Sequence, residues 1–333
     1  MRAVVVLLLL ALVAVLPVQA QQPPNLQGKT VTIIVGYPTG GGYDALARII
    51  ARHLPRFLPG NPTVIVQNMP GANSIVAANH LYNNAPKDGL TIGAFNRNLV
   101  LGQLVKVEGI RFDMTKFAWI GSPSAEATIL AIRSDMPYRT PADFVRASTA
   151  IILGATGPGA STYDFPLLLK SLLKWNLRII AGYPSSGEIM LAVERKEVDG
   201  RAGSYSSLKP FIDRGLVRPV IRTRASVPPI AALPVDENLA ADATARTVMA
   251  LRSAPEVIGR PYVAPPGTPA AYVQMYINAF DRMTKDQAFL AEATQRGFDI
   301  DYTNGPAALK IVNDVLNAPA SVVRIFQQFF RFD

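Results

Sequence analysis

The chain has 333 residues, 49% of them hydrophobic and 17% charged, which suits one large or two medium globular domains and excludes a disordered or coiled-coil protein. It holds no cysteine and two histidines, which excludes a disulfide framework, a thiolate metal site, a lipid-anchored cysteine and most histidine-based catalysis. The formal charge of +9 is spread without Lys/Arg runs or aromatic–basic interleaving, which argues against a nucleic-acid partner and favours anionic ligands.

Residues 1–20 read as a secretory signal: Arg2 supplies the positive start, an apolar stretch follows, and Val18-Gln19-Ala20 is the cleavage site. The stretch is short for a membrane span and "QQPPNLQ" follows it instead of a basic flank, so export and cleavage are expected over anchoring. The mature chain is then expected to be a soluble periplasmic protein.

Residues 30–35 (TVTIIV) form a continuous β-branched run, the mark of a buried strand. Three glycines, Gly40, Gly41 and Gly42, then precede Leu46, Ile49, Ile50, Leu54 and Phe57 at helical spacing. Strands over 62–68 and 90–95 flank a helix over 74–84, and this alternation predicts a parallel sheet covered on both faces. Residues 127–133 read as another strand. Thr140-Pro141-Ala142-Asp143 supplies an N-cap, a first-turn proline and an acid, so a helix starts there. A strand over 150–155 leads through "GPGAST" into a helix ending at Leu173. Short strands are expected over 177–182, 198–203 and 217–222, and "APPGTP" breaks the chain before a helix over 270–285.

Two regions, 31–50 and 151–173, thus share one plan of strand, Gly-rich turn and helix. In open α/β sheets ligands bind beyond the carboxyl ends of strands, where such turns sit. The first N–H groups of a helix lack intrahelical partners, and the dipole adds about half a positive charge there. Glycines let an anion reach those groups without meeting a Cβ, so a carboxylate or phosphate is the natural guest. "GYPTGGG" and "GATGPG" match neither a dinucleotide fingerprint nor a P-loop, and no Gly-x-Ser-x-Gly marks an esterase. No nucleophile, base and orienter assemble, so an enzyme is not expected.

The chain resembles the solute-binding proteins of tripartite tricarboxylate transporters, the Bug family, over nearly its whole mature length. The resemblance rests on the order and spacing of "YPTGGGYDALAR", "VQNMPGANSIVAAN", "APKDGLTIG", "SDMPYRTPADF", "LGATGPGASTY", "AGYPSSGEIMLAVERKEVDG", "RGLVRPV" and "APPGTP". It implies a two-domain periplasmic-binding-protein-like α/β fold with a ligand cleft between the domains. Domain 1 would take 28–128 plus 250–333, and domain 2 would take 129–249. It also implies that two loops, 38–44 and 156–163, hold one ligand carboxylate through their backbones. Four departures from the family pattern leave ligand identity open: Tyr43 after the glycines, "NSIVAAN" after "PGA", Tyr163 after the Ser-Thr pair, and Arg201.

The candidate ligand residues are Thr39, Gly40, Gly41, Gly42 and Tyr43 in the first loop and Thr156, Gly159, Ala160, Ser161 and Thr162 in the second. Asn96 and Arg97 follow the third strand, Arg201 lies at another strand end, and either arginine is placed to pair with a distal carboxylate. Tyr183 in "AGYPSSGE" is a candidate wall of the cleft. Asp44 is read as a helix cap and His53 as structural. No cofactor and no metal are expected. The expected function is capture of a small carboxylate by a monomer for delivery to membrane permease subunits. The alternatives are presentation of the ligand to a membrane sensor and a secreted α/β hydrolase.

Overall fold

A computed structural model of the chain describes residues 24–124 and 126–329; the expected signal segment lies outside them. β1 (Thr30–Val35) leads to α1 (Gly42–His53), β2 (Thr63–Asn68) to α2 (Ile75–Asn83) and β3 (Thr91–Ala94) to α3 (Leu99–Leu104). β4 (Ala118–Ser122) runs into β5 (Thr128–Arg133) with no helix between them. Next come α4 (Pro141–Arg146), β6 (Ile151–Gly154), α5 (Ser161–Leu172), β7 (Leu177–Ile180) and α6 (Ser186–Glu194). β8 (Gly200–Ser204), α7 (Tyr205–Asp213), β9 (Val217–Arg222), α8 (Asp236–Leu239) and α9 (Ala243–Ser253) follow. Last are β10 (Tyr262–Ala264), α10 (Ala270–Met283), α11 (Gln287–Gln295), β11 (Thr303–Asn304), α12 (Gly305–Leu316) and α13 (Ala320–Phe329).

These strands build two sheets, of order β11-β4-β10-β3-β1-β2 and β7-β6-β8-β5-β9. Both are mixed: the parallel pairing expected for the first three strands is present, and antiparallel strands are added to it. β1 pairs in parallel with β2 and β3, but β10 runs against β3 and β4. In the second sheet β5 runs against β8 and β9. The reason is the connection. A parallel neighbour needs a helical crossover, whereas β5 arrives straight from β4 of the other sheet and therefore enters its own sheet from the cleft end.

Both faces of each sheet are covered, as the continuous apolar strands require. On one face of the first sheet Val31, Ile33 and Val35 pack against α1, α10 and α11 through residues such as Leu46, Ile50, Phe280 and Phe289. Ile34 faces the other side, where Ala78 and Leu81 of α2 and Val312 of α12 lie. The second sheet repeats this: Ile129 and Ala131 meet α6 and α7, while Leu130 and Ile132 meet Phe144, Phe165 and Leu169. Each such side chain removed from water contributes about 1.5–3 kcal/mol. Among the described residues no helix is long and apolar enough to cross a membrane.

Candidate functional site

The segment after β1 closes on itself before it offers anything to a ligand. Gly40, at φ +93°, donates its N–H to Asp44 Oδ2 at 3.0 Å. Asp44 also accepts from Arg48 Nε at 3.0 Å and Asn68 Nδ2 at 2.9 Å. Burial would push its carboxyl up, but the bonds from Arg48, Gly40 and Asn68 outweigh burial and hold it below the usual carboxylate range. Thr39 Oγ1 donates to Asn68 at 3.4 Å. Thr39 and Gly40 therefore lie outside the cavity lining, while Gly41, Gly42 and Tyr43 are part of it.

The segment after β6 uses the same device. Gly159, at φ +83°, donates its N–H to Asp164 Oδ1 at 2.9 Å, and Asp164 lies in the first turn of α5. Thr162 Oγ1 accepts from the Thr156 N–H at 3.0 Å, which fixes the loop's other end. Asp164 differs from Asp44 in its state. Burial dominates over Arg252 and the Gly159 N–H, and its pKa is pushed up to about 7.

Three arginine heads converge on the space between the loops. Arg97, Arg201 and Arg260 are 4%, 1% and 2% exposed. Arg97 Nη2 donates to Thr128 Oγ1 at 3.1 Å, and its backbone N–H donates to the Tyr43 hydroxyl at 3.1 Å. Arg201 donates to the carbonyls of Ala202 and Ser207 and to Ser207 Oγ. Arg260 stands between the rings of Tyr43 and Phe298, its Cζ 5.3 and 5.0 Å from their centres. Its Nη2 donates to Ser204 Oγ at 2.9 Å and Ser206 Oγ at 3.0 Å. Its Nη1 lies 2.9 Å from Glu126 Oε1, an ion pair out of line for a hydrogen bond.

Two glycines make this crowding possible. A Cβ on Gly42 would stand 2.6 Å from Arg260 Nη2, and a Cβ on Gly203 would collide with Arg201 Nη1.

The resulting cavity has a volume of about 90 Å³, enough for several ordered waters or a small organic acid. Its walls belong to both sheets. Of the residues singled out from the sequence, Gly41, Gly42, Tyr43, Asn96, Arg97, Thr156, Ala160, Ser161, Thr162 and Arg201 line it. Gly159 and Tyr183 instead line an adjoining cavity of about 440 Å³. Sequence reasoning missed Ser185, Ser186, Ser204, Ser207 and Arg260, which line the first cavity together with Tyr37, Pro38 and Gly203. The first four bring the N-termini of α6 and α7 to the cavity beside those of α1 and α5. A signal existed for α6: Ser185 and Glu188 have capping-box spacing, and Ser185 Oγ accepts from the Glu188 N–H at 3.2 Å. Arg260 carries no local signal, since it precedes a three-residue strand.

Four helix N-termini and three buried guanidiniums thus face one cavity, an arrangement that attracts anions. Among the described residues no group of three or more His, Asp or Glu side chains is placed to hold a metal ion.

Comparison with known proteins agrees with this architecture. The family model described as "Tripartite tricarboxylate transporter family receptor" matches residues 46–327. A UPF0065 protein from the gbd 5′ region of Cupriavidus necator is 29% identical over 154 residues, 46% of this chain. That match spans 43% of the relative's length, less than half. Among solved structures, the periplasmic binding protein BugD superposes with a TM-score of 0.73 at 20% identity, covering 90% of this chain and 97% of BugD. MatC from Rhodopseudomonas palustris, with bound malate, gives a TM-score of 0.71 at 19% identity, covering 88% of this chain and 98% of MatC. The fold is thus the two-domain fold of periplasmic binding proteins, and the chain belongs to the receptor family of tripartite tricarboxylate transporters, whose members bind solutes and are not enzymes.

Proposed function

We propose that this receptor captures a small carboxylate between its two lobes and delivers it to the permease subunits of a tripartite transporter. The observation that supports it best is the cavity itself, where four helix N-termini and three buried arginines meet without a lining carboxylate. The first lobe comprises 28–128 and 250–333 and the second 129–249, and binding biases an equilibrium between open and closed forms. In this reading residues 1–20 are removed on export, and the mature receptor works in the periplasm as a monomer. The backbone N–H groups of Gly42 and Tyr43 precede the first bond of α1, from the Ala45 N–H to the Gly41 carbonyl. They hold one carboxylate oxygen pair, with Ser161 and the start of α5 facing it from the second lobe.

The test is thermal unfolding of the mature chain against small carboxylates, malate among them, and their neutral amides. An acid at about 100 times its Kd stabilises by ~2.7 kcal/mol, and its amide does not. Equal shifts from acids and amides would remove the carboxylate clamp.

A further inference from the structure

The cavity holds more positive charge than one carboxylate balances. Arg97, Arg201 and Arg260 line it, and among the described residues Glu126 is the acid that ion-pairs with any of them. Glu126 is already committed: it faces Arg260 and accepts the Ser206 hydroxyl at 3.0 Å. Arg97 has a threonine hydroxyl as its side-chain partner, and Arg201 has two carbonyls and a serine. The pKa of Arg201 is pulled down to about 9 by burial. The Nε–H groups of all three are buried and unpartnered. Glu256 also acts on Arg97 but is ion-paired with Arg252. Burying a guanidinium without a counter-charge is costly, so an arrangement that leaves three of them with one acid of their own has a missing anionic component.

The space around two of these heads is specific to them. Gly203 lies where any side chain would displace Arg201, and Gly42 does the same for Arg260. The excess charge is therefore part of the packing, unlike a surface arginine that swings freely. No aspartate or glutamate lines the cavity, so an ammonium group finds no anionic partner there.

We propose that the ligand is a compact dianion, and that Arg97, Arg201 and Arg260 together select it over monoanions and over zwitterionic amino acids. The proposal rests on the anion-clamp reading above and adds to it the charge of the ligand. Three guanidiniums and one glutamate leave two positive charges. A dicarboxylate neutralises both, whereas a monocarboxylate leaves one guanidinium buried and uncompensated. An inorganic dianion such as sulfate carries the same charge on one centre and is a separate arm of the test.

The experiment is titration calorimetry of the mature protein at pH 7.5 with the straight-chain dicarboxylates from two to six carbons, the monoamide of each, aspartate, and sulfate. At least one dicarboxylate binds about 100-fold tighter than its own monoamide, since a charge-assisted contact is lost with each neutralised end. Arg201→Gln cuts that ratio about tenfold or more. The same variant, unliganded, melts above the wild type, because it removes an uncompensated buried charge. Arg201→Lys keeps the charge and the preference, and serves where the glutamine variant fails to fold.

A monoamide or aspartate binding as tightly as the matched diacid overturns the proposal, and so does an unchanged ratio in Arg201→Gln. Sulfate binding with no dicarboxylate bound overturns the two-group form. Failure of every acid and amide to bind removes the clamp reading itself, a different result from loss of charge selectivity.

Discussion

Gly42 and Arg260, 218 residues apart in the numbering, share one space: a Cβ on Gly42 would stand 2.6 Å from Arg260 Nη2. The glycine run thus has a role besides ligand access, because its third member admits a guanidinium to the start of α1. A helix N-terminus is itself positive, so the pairing is unfavourable until an acid approaches. Glu126 provides one on the protein side.

The sign of a single substitution reads this out. At an open helical position Gly→Ala stabilises by about 1 kcal/mol through helix propensity. Gly42→Ala instead lowers the melting temperature, because Arg260 must move and leave its place between Tyr43 and Phe298. Carboxylate affinity falls with it. A rise in melting temperature with unchanged binding would show that the space at Gly42 is free.

The Glu126–Arg260 pair gives the second prediction. Both groups are 2% exposed, and Glu126 also accepts the Ser206 hydroxyl. Removing one partner of a buried pair costs roughly 3–5 kcal/mol, whereas replacing both with apolar groups of similar size is near neutral. Glu126→Met therefore lowers stability in urea unfolding by roughly that amount, and Glu126→Met with Arg260→Met recovers much of it while losing anion binding. Additive losses in the double variant would mean that the two residues act separately.

Much of the fold was legible because its signals are local. The β-branched run at 30–35 is β1, and Pro141 begins α4 with Asp143 accepting the Thr140 N–H at 2.7 Å. The two Gly-rich turns were legible for the same reason: a glycine at positive φ followed by an acid in the next helix is a short-range pattern, seen at Gly40–Asp44 and Gly159–Asp164. Strand direction was not legible. β5 and β10 run against their neighbours because of how the chain passes between sheets, and nothing in "TILAIR" or "YVA" records it. Arg260 was missed on the same grounds, since its partners Gly42, Glu126 and Ser204 are brought to it only by the packed sheets.

The loop aspartate Asp164 predicts a pH dependence of known sign. Asp164 is pushed up to about 7 from 3.8 by burial, against Arg252 and the Gly159 N–H. The folded chain thus holds a proton that the unfolded chain releases near pH 4. Stability from this group falls as pH rises from about 4 to about 7 and is level above that, with a slope on the order of 1 kcal/mol per pH unit. Asp236, also raised to about 7 by burial, adds a contribution of the same sign. Asp164→Asn keeps an acceptor for Gly159, flattens part of this slope and raises the melting temperature at pH 8. An unaltered melting-temperature profile between pH 4.5 and 8 would contradict the buried, proton-holding state of Asp164.

The last prediction concerns what keeps the lobes together. Asn96 Nδ2 donates to the Gly159 carbonyl at 2.9 Å, and Asn73 Nδ2 donates to the neighbouring Pro158 carbonyl. Both asparagines precede β4, and both carbonyls lie in the loop after β6 of the other sheet. Asn73 reaches across from a run of three non-glycine residues at positive φ: Ala72 at 43°, Asn73 at 49° and Ser74 at 83°. Such backbone costs about 1–3 kcal/mol per residue and persists only where its surroundings enforce it. Ser74 supplies that enforcement, its hydroxyl donating to the Gly36 carbonyl at 3.1 Å and accepting from the Asn96 N–H at 3.3 Å. The strained segment and the Asn96 bridge are thus one unit, joined through a single serine. A net hydrogen bond of about 0.5–1.5 kcal/mol corresponds to roughly two- to tenfold in rate. Asn96→Ala and Asn73→Ala each raise the ligand dissociation rate by that factor in stopped-flow measurements, with little change in association. Ser74→Ala, which removes the support without touching either bridge, raises it as well. If Ser74→Ala changes stability alone and leaves dissociation as in the wild type, the strained segment supports the fold of the first lobe and takes no part in holding it to the second.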